Sequence, residues 1–398
     1  MGATASLWSA RPGMFAGLVV LSIAGKLALA SLGHNYDVDS WQLVGQITAA
    51  GRSVYAETAR YNYGPLWFWV CAAADHCARH FPVGAGAENF HLWLVLVLSV
   101  IDAGVAVLLR RMGLGAPAVF FVLNPLTWLI SGFHSQFDQF PILIGLVAVS
   151  VLARRQDARA VLMAAVILGL SLAVKHTLIF LPAWLALWLL TRDRRNVLGA
   201  LVMLLLPPLL FALTFAPYWL DPASRAGIVA NVLHYRSDYL YALVPLALSV
   251  IHVTPLIEHG LSWVPIFSGY RAVWVLVSLA FAYPFRAARP VHLLALYTCV
   301  LVIFTPAMAD QYLVIPALAC ALYWRSWLTW AYVTGSTAFL LLVASGNVGG
   351  LPGMHAVHAS FAWLPLRRYM SVAFLFIFLI QMVRREDVDR HLDELGRA

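Results

Sequence analysis

Residues 13–42 read "GMFAGLVVLSIAGKLALASLGHNYDVDSWQ". Up to residue 33 the stretch is apolar but for Lys26 and two serines. Such a run matches the roughly 20 helical residues that cross a bilayer's hydrocarbon core. Arg11 before it and Ala28-Leu29-Ala30 near its end resemble a signal peptide with its cleavage site. The length of the run, and Lys26 inside it, favour an uncleaved first helix. Straight after the run come two carboxylates, Asp37 and Asp39, one residue apart.

The pattern of that first run recurs along the chain. Of 398 residues, 62% are hydrophobic and only 11% charged, and mean hydropathy is +0.80. Soluble domains carry roughly 25% charged residues. Apolar segments fall at 13–33, 90–109, 115–131, 138–153, 159–174, 176–190, 196–216, 268–285, 291–306, 311–324, 327–345 and 368–383. The fold class expected is an all-α polytopic membrane protein, a bundle of about 12 transmembrane helices. Segments 63–82 and 239–256 are apolar but carry aromatics and polar residues, and they read as surface-lying helices.

Charge then orients the bundle. The net charge is +8, but the arginines sit in short clusters between apolar runs, as topology signals do, so nucleic acid is not the partner they imply. With 63–82 and 239–256 on the outer surface, the clusters Arg110-Arg111, Arg154-Arg155 and Arg192–Arg195 fall on the inner side. The outer side then holds three long loops, 34–89, 217–267 and 346–367, and the chemistry is expected there. A composition rich in Ala, Leu, Val and Arg suggests a bacterial inner (plasma) membrane with the active site on the periplasmic side. The four cysteines show no metal-ligand spacing and read as free thiols.

That topology gathers polar clusters at one membrane surface: "HNYDVDSW" (34–41), "RYNYGPLW" (60–67), "SGFHSQFDQF" (131–140), "VKHT" (174–177), "HYRSDY" (234–239) and "TPAMADQYL" (305–313). Ionisable residues at such depth are costly and usually functional. In extended backbone Asp37 and Asp39 share a face. Such a pair can hold a divalent cation (Mg or Mn), or one acid can serve as a general base whose pKa the other raises; solvated or helix-capping acids are the plainer alternative. Lys175-His176 suits a phosphate, Lys26 an internal pair with Asp102 or another acid, and His76 and His80 stand at metal-ligand spacing on what is more simply a surface helix. No P-loop, dinucleotide fingerprint or nucleophile elbow occurs.

The order of these pieces resembles the GT-C superfamily of integral-membrane glycosyltransferases. The resemblance rests on the first-loop acids, Gly51 to Tyr55 as G-x-x-x-Y, Tyr61 to Leu66 as Tyr-x-Tyr-Gly-Pro-Leu, and Asn124-Pro125 followed by Ser131 to Asp138. Asp310-Gln311-Tyr312 before Pro316 completes it. The 131–138 piece is similar to a signature of GPI mannosyltransferase-like and bacterial polyprenol-phosphate-mannose-dependent enzymes, except that Ser135 stands where that pattern usually has glycine.

The chain reads as a single transmembrane domain, 1–398, in which the resemblance implies residues 1–216 as a catalytic module and 217–383 as a variable module; the charge pattern makes 384–398 a cytoplasmic tail. The resemblance implies a polyprenyl-phosphate sugar donor, a glycolipid or glycan acceptor, and Asp37 as general base, with Asp39 orienting the acceptor or taking over as base. Lys175, His176, Arg236 and Gln311 would face the leaving phosphate. Tyr61, Tyr63 and Trp67 would stack on sugar or lipid. His134, Gln136, Asp138, His234, Tyr235, Asp310 and Tyr312 would line the sugar or acceptor. A membrane transporter or lipid-linked-sugar flippase is the alternative, kept open by Pro207-Pro208 inside one apolar run.

Overall fold

The computed structural model describes residues 12–83, 87–234, 275–305, 309–344 and 373–379, and every element among them is helical. The main helices are α1 Pro12–Ala30, α2 Tyr36–Ala49, α3 Leu66–His80, α4 Ala87–Arg111, α5 Gly115–Leu123, α6 Pro125–Gly132, α7 Gln139–Arg154 and α8 Ala158–Val174. They continue as α9 Leu181–Arg192, α10 Val197–Leu213, α11 Pro290–Phe304, α12 Ala317–Leu322 and α13 Trp327–Ala344. Two of them, α1 and α4, are long and apolar enough to cross a membrane.

The expected span 115–131 is not one straight helix. α5 and α6 meet at a 49° bend. Pro125 has no N–H to donate and drives the residue before it out of helical backbone. Asn124 accordingly sits at φ −66°, ψ 116°, and its side chain accepts from the Leu126 amide to start α6 afresh. The expected span 311–324 is likewise broken, into a 3₁₀ turn Asp310–Val314 and the six residues of α12. The doubtful segment 239–256 lies outside the described residues.

Two hydrophobic cores result. The larger joins α1 and α4–α13 through residues such as Leu146, Leu168, Trp184 and Leu294. The smaller belongs to the segment after α1, where α2 packs on α3 and α3 on α4. Here Val38, Trp41, Val44 and Ile47 make the buried stripe of α2 at helical spacing. Trp67 lies flat against Phe137, ring centroids 3.9 Å apart at 9°, and Tyr55, Tyr61, Tyr63 and Phe68 fill the rest. Gly64 has no alternative at its position, because a Cβ would collide with the carbonyl of Ala173 at the end of α8. That close approach seats the first loop on the turn that carries Lys175.

Tyr61 and Trp67 are therefore fully buried, which corrects the expectation that they stack on sugar or lipid. Their rings already have faces to pack on, and the Tyr61 hydroxyl donates to the Gly64 carbonyl at 2.5 Å. His76 and His80 stack on one another, and all four cysteines are free. Lys26 pairs with Asp102 at 2.5 Å, as expected.

Candidate functional site

Asn35 organises the start of α2. Its Oδ1 accepts from the Asp37 amide at 3.1 Å, the usual N-cap bond. Its Nδ2 donates to Asp37 Oδ2 at 3.2 Å and to His134 Nδ1 at 3.0 Å. Both acids lie in the first turn of α2, where the helix dipole favours negative charge. That helical backbone corrects the expected extended one. At 3.6 residues per turn, positions two apart point roughly 200° away from each other. Asp37 turns inward and Asp39 to solvent, so the two carboxylates leave α2 on different faces. Among the described residues no group of three or more His, Cys, Asp or Glu side chains is placed to hold a metal ion.

Asp37 Oδ2 also accepts from Gln136 Nε2 at 2.5 Å. Burial raises the Asp37 pKa above the usual carboxylate range, helped by the Asp138 charge and opposed by Asn35, Lys175 and Gln136. Burial holds the His134 imidazole down at about 4, so it is neutral. With Asn35 donating to Nδ1, the imidazole proton sits on Nε2.

The loop 133–138 reaches Asp37 by a left-handed residue. Ser135 has φ +51°, the one non-glycine residue with positive φ among those described. Glycine adopts this region without penalty, whereas a side chain costs roughly 1 kcal/mol. Ser135→Gly is expected to stabilise the protein by about 0.5–1 kcal/mol, read as a raised midpoint of thermal unfolding in detergent. A lowered midpoint would mean that the buried hydroxyl, not the backbone, governs the position.

Asp138 stands at the first position before α7, without a side-chain cap bond, and Lys175 at the position that ends α8. They form an ion pair at 2.6 Å with side chains 0% and 4% exposed. The Lys175 ammonium also lies 5.0 Å from each of three ring centroids, Tyr63, Phe137 and Tyr312. It is already matched in charge, which corrects the expectation of a free phosphate grip. Its field still reaches Asp37.

The structure thus brings together Asp37, His134, Gln136, Asp138, Lys175, Tyr63 and Tyr312. His176 is half-buried beside Tyr63, with its Nδ1 unpaired. Gln139 Nε2 donates to the Val314 carbonyl at 2.8 Å, which docks the Asp310–Val314 turn on α7. Asp310 and Gln311 are half-buried in that turn. His234 stands exposed at the end of the π-helix Ile228–Leu233. Tyr235 and Arg236 lie outside the described residues.

Four buried polar atoms of the 134–138 loop, His134 Nε2, Ser135 Oγ, Gln136 Oε1 and Asp138 Oδ2, have no hydrogen-bond partner. Buried polar groups are nearly always paired, so these donors and acceptors beside Asp37 are available to a polar ligand or to ordered water.

No family model, curated protein or solved structure matches the chain. The site is read from its geometry.

Sequence reasoning missed Asn35, which besides capping α2 meets His134, 99 residues on, and it missed Arg60. The Arg60 guanidinium lies over the exposed Tyr36 ring at 4.3 Å, next to Asp37 in the chain. An Asn two residues before a first-turn acid is a cap signal that was legible; the Arg60 stacking was not.

Proposed function

We propose that the protein is an inverting, integral-membrane glycosyltransferase of GT-C type. It moves a sugar, mannose in the first instance, from a polyprenyl-phosphate donor to a hydroxyl of a lipid or glycan acceptor at the outer face. The observation that carries the reading is Asp37: one desolvated carboxylate of raised pKa, aimed by Asn35 and Gln136 beside a loop of unpaired polar atoms. A base is most effective when its pKa lies near the working pH. The acceptor O–H gives its proton to Asp37 as its oxygen bonds to the anomeric carbon. The bond from that carbon to the phosphate oxygen breaks, and polyprenyl phosphate leaves with the electron pair.

The chain would lie in the membrane as a bundle of about twelve spans, facing the periplasm. Alongside α1 and α4, the shorter apolar helices α7–α11 support this reading. His134, Gln136 and Asp138 bind sugar hydroxyls; His176 and Gln311 approach the phosphate, and Lys175 supplies field rather than contact. Asp39, exposed and on another face, is outside the reaction. A transporter or lipid-linked-sugar flippase is the second reading, favoured by the ion pair Lys26–Asp102 buried between α1 and α4.

The test reconstitutes the protein in lipid with radiolabelled polyprenyl-phosphate-mannose and a membrane-lipid acceptor extract. Label should pass to the acceptor, with Asp39→Ala within about threefold of wild type and chelation with EDTA without effect. Donor consumed by no form, together with label crossing the bilayer, would replace this reading with the second.

A further inference from the structure

Lys26 and Asp102 take no part in the chemistry above, yet they are among the most costly residues in the chain. Both are buried, 2% and 5% exposed at the side chain, inside α1 and α4, which among the described residues are long and apolar enough to cross a membrane. The pair has a third member. Ser131 Oγ, in the last turn of α6, donates to Asp102 Oδ2 at 2.7 Å, the same oxygen that accepts from Lys26. Ser131 itself is 1% exposed. Next to it, Gly132 lets α6 lie directly on α1: a Cβ there would sit 2.9 Å from the Lys26 carbonyl oxygen and 3.1 Å from its Cα.

Each partner of Asp102 leads to the site by a short stretch of chain. Four residues after Lys26, α1 ends at Ala30, and Asn35 and Asp37 follow. Directly after Ser131 and Gly132 comes the loop that turns through Ser135 to place Gln136 on Asp37 and Asp138 on Lys175. The two segments that meet at Asp37 are therefore cross-tied below it at one carboxylate oxygen. A buried ion pair adds little net stability over an apolar pair of the same size. Its directional bonds do set register, and catalytic geometry is sensitive to displacements of about 1 Å.

We infer that Lys26, Asp102 and Ser131 form a positioning triad that sets the 133–138 loop against Asp37. The inference rests on the proposed transfer reaction for its kinetic test but not for its structural one. Removing Ser131's bond frees the loop end of the tie while the ion pair stays satisfied. The double replacement Lys26→Met with Asp102→Leu removes the tie without stranding a charge.

The experiment compares wild type, Ser131→Ala, Ser131→Thr and the double variant in lipid discs, by sugar transfer and by amide hydrogen exchange. In Ser131→Ala and the double variant, kcat should fall roughly tenfold or more with donor KM within about twofold. The acid limb of the pH–rate profile should move to higher pH, because the Gln136 bond that opposes Asp37's raised pKa is loosened. Exchange in peptides covering 133–138 and 35–39 should rise, and Ser131→Thr should restore both readouts. Wild-type kinetics and exchange in a folded Ser131→Ala and a folded double variant would overturn the triad. So would an even rise of exchange across the whole chain, which marks general loosening. A wild-type protein with no transfer activity would remove the proposed function and leave the exchange comparison to judge the triad.

Discussion

Asp37→Asn is expected to lower kcat about 10³-fold, within the 10²–10⁴ range that a positioned general base supplies, with donor KM little changed. The side chain keeps its size, and its amide can still meet Asn35 and Gln136, so the loss isolates the proton-accepting role. Because burial raises the Asp37 pKa, kcat/KM should climb with pH through an acid limb above the ordinary carboxylate value of 3.8. The same shift has a stability sign. A carboxyl whose pKa is raised by folding binds its proton more tightly in the native state. Its favourable contribution is full below 3.8 and is lost as pH rises through the raised native value. Above that raised native value the site holds an ill-solvated charge, and there Asp37→Asn should unfold at a higher temperature than wild type. An inactive variant that is also less stable would point to a structural Asp37, and full activity would remove it as the base.

Lys175→Met should have the largest effect on stability. It strands Asp138, whose side chain is wholly buried, and breaking a buried pair from one side typically costs 3–5 kcal/mol. It also removes three cation–aromatic contacts at once. The double variant Lys175→Met with Asp138→Leu should recover most of the lost stability, since no uncompensated charge remains. It should not recover activity: Lys175 is one of the charges holding the Asp37 pKa down, and Asp138 presents an unpaired oxygen beside the site. Thermal unfolding and transfer assays on the three proteins separate these roles. Equal stability of the single and double variants would show that the pair is not charge-coupled in the way its geometry implies.

What was legible in the sequence follows period and punctuation. Helices of apolar residues show in runs such as 13–33 and 90–109 without knowledge of any partner, because transfer out of water depends on the residues themselves. Asn124-Pro125 announces a break through one missing N–H, though a span read only by its hydropathy hides it. The acids after α1, and the gathering of "SGFHSQFD" and "VKHT" near them, come from order along a folded-back chain. Lys26 with Asp102 was legible too, since two opposite charges in apolar helices have few partners to choose from.

The roles of individual side chains were not legible, because they are settled by neighbours far away in sequence. Asp37 and Asp39 are the same residue type two positions apart, and nothing local separates them. Helical backbone from Tyr36 onward turns one inward to Gln136 and leaves the other in water. Tyr61 and Trp67 looked like exposed stacking platforms until Phe137 and Gly64 supplied their packing. Lys175 looked like a free cation until Asp138, 37 positions earlier, closed on it. Hydrophobicity is a property each residue carries alone, so the sequence by itself determined an all-helical apolar chain. Desolvation and pairing depend on what surrounds a group, so only the tertiary structure decided which acid turns inward and which charge is already matched.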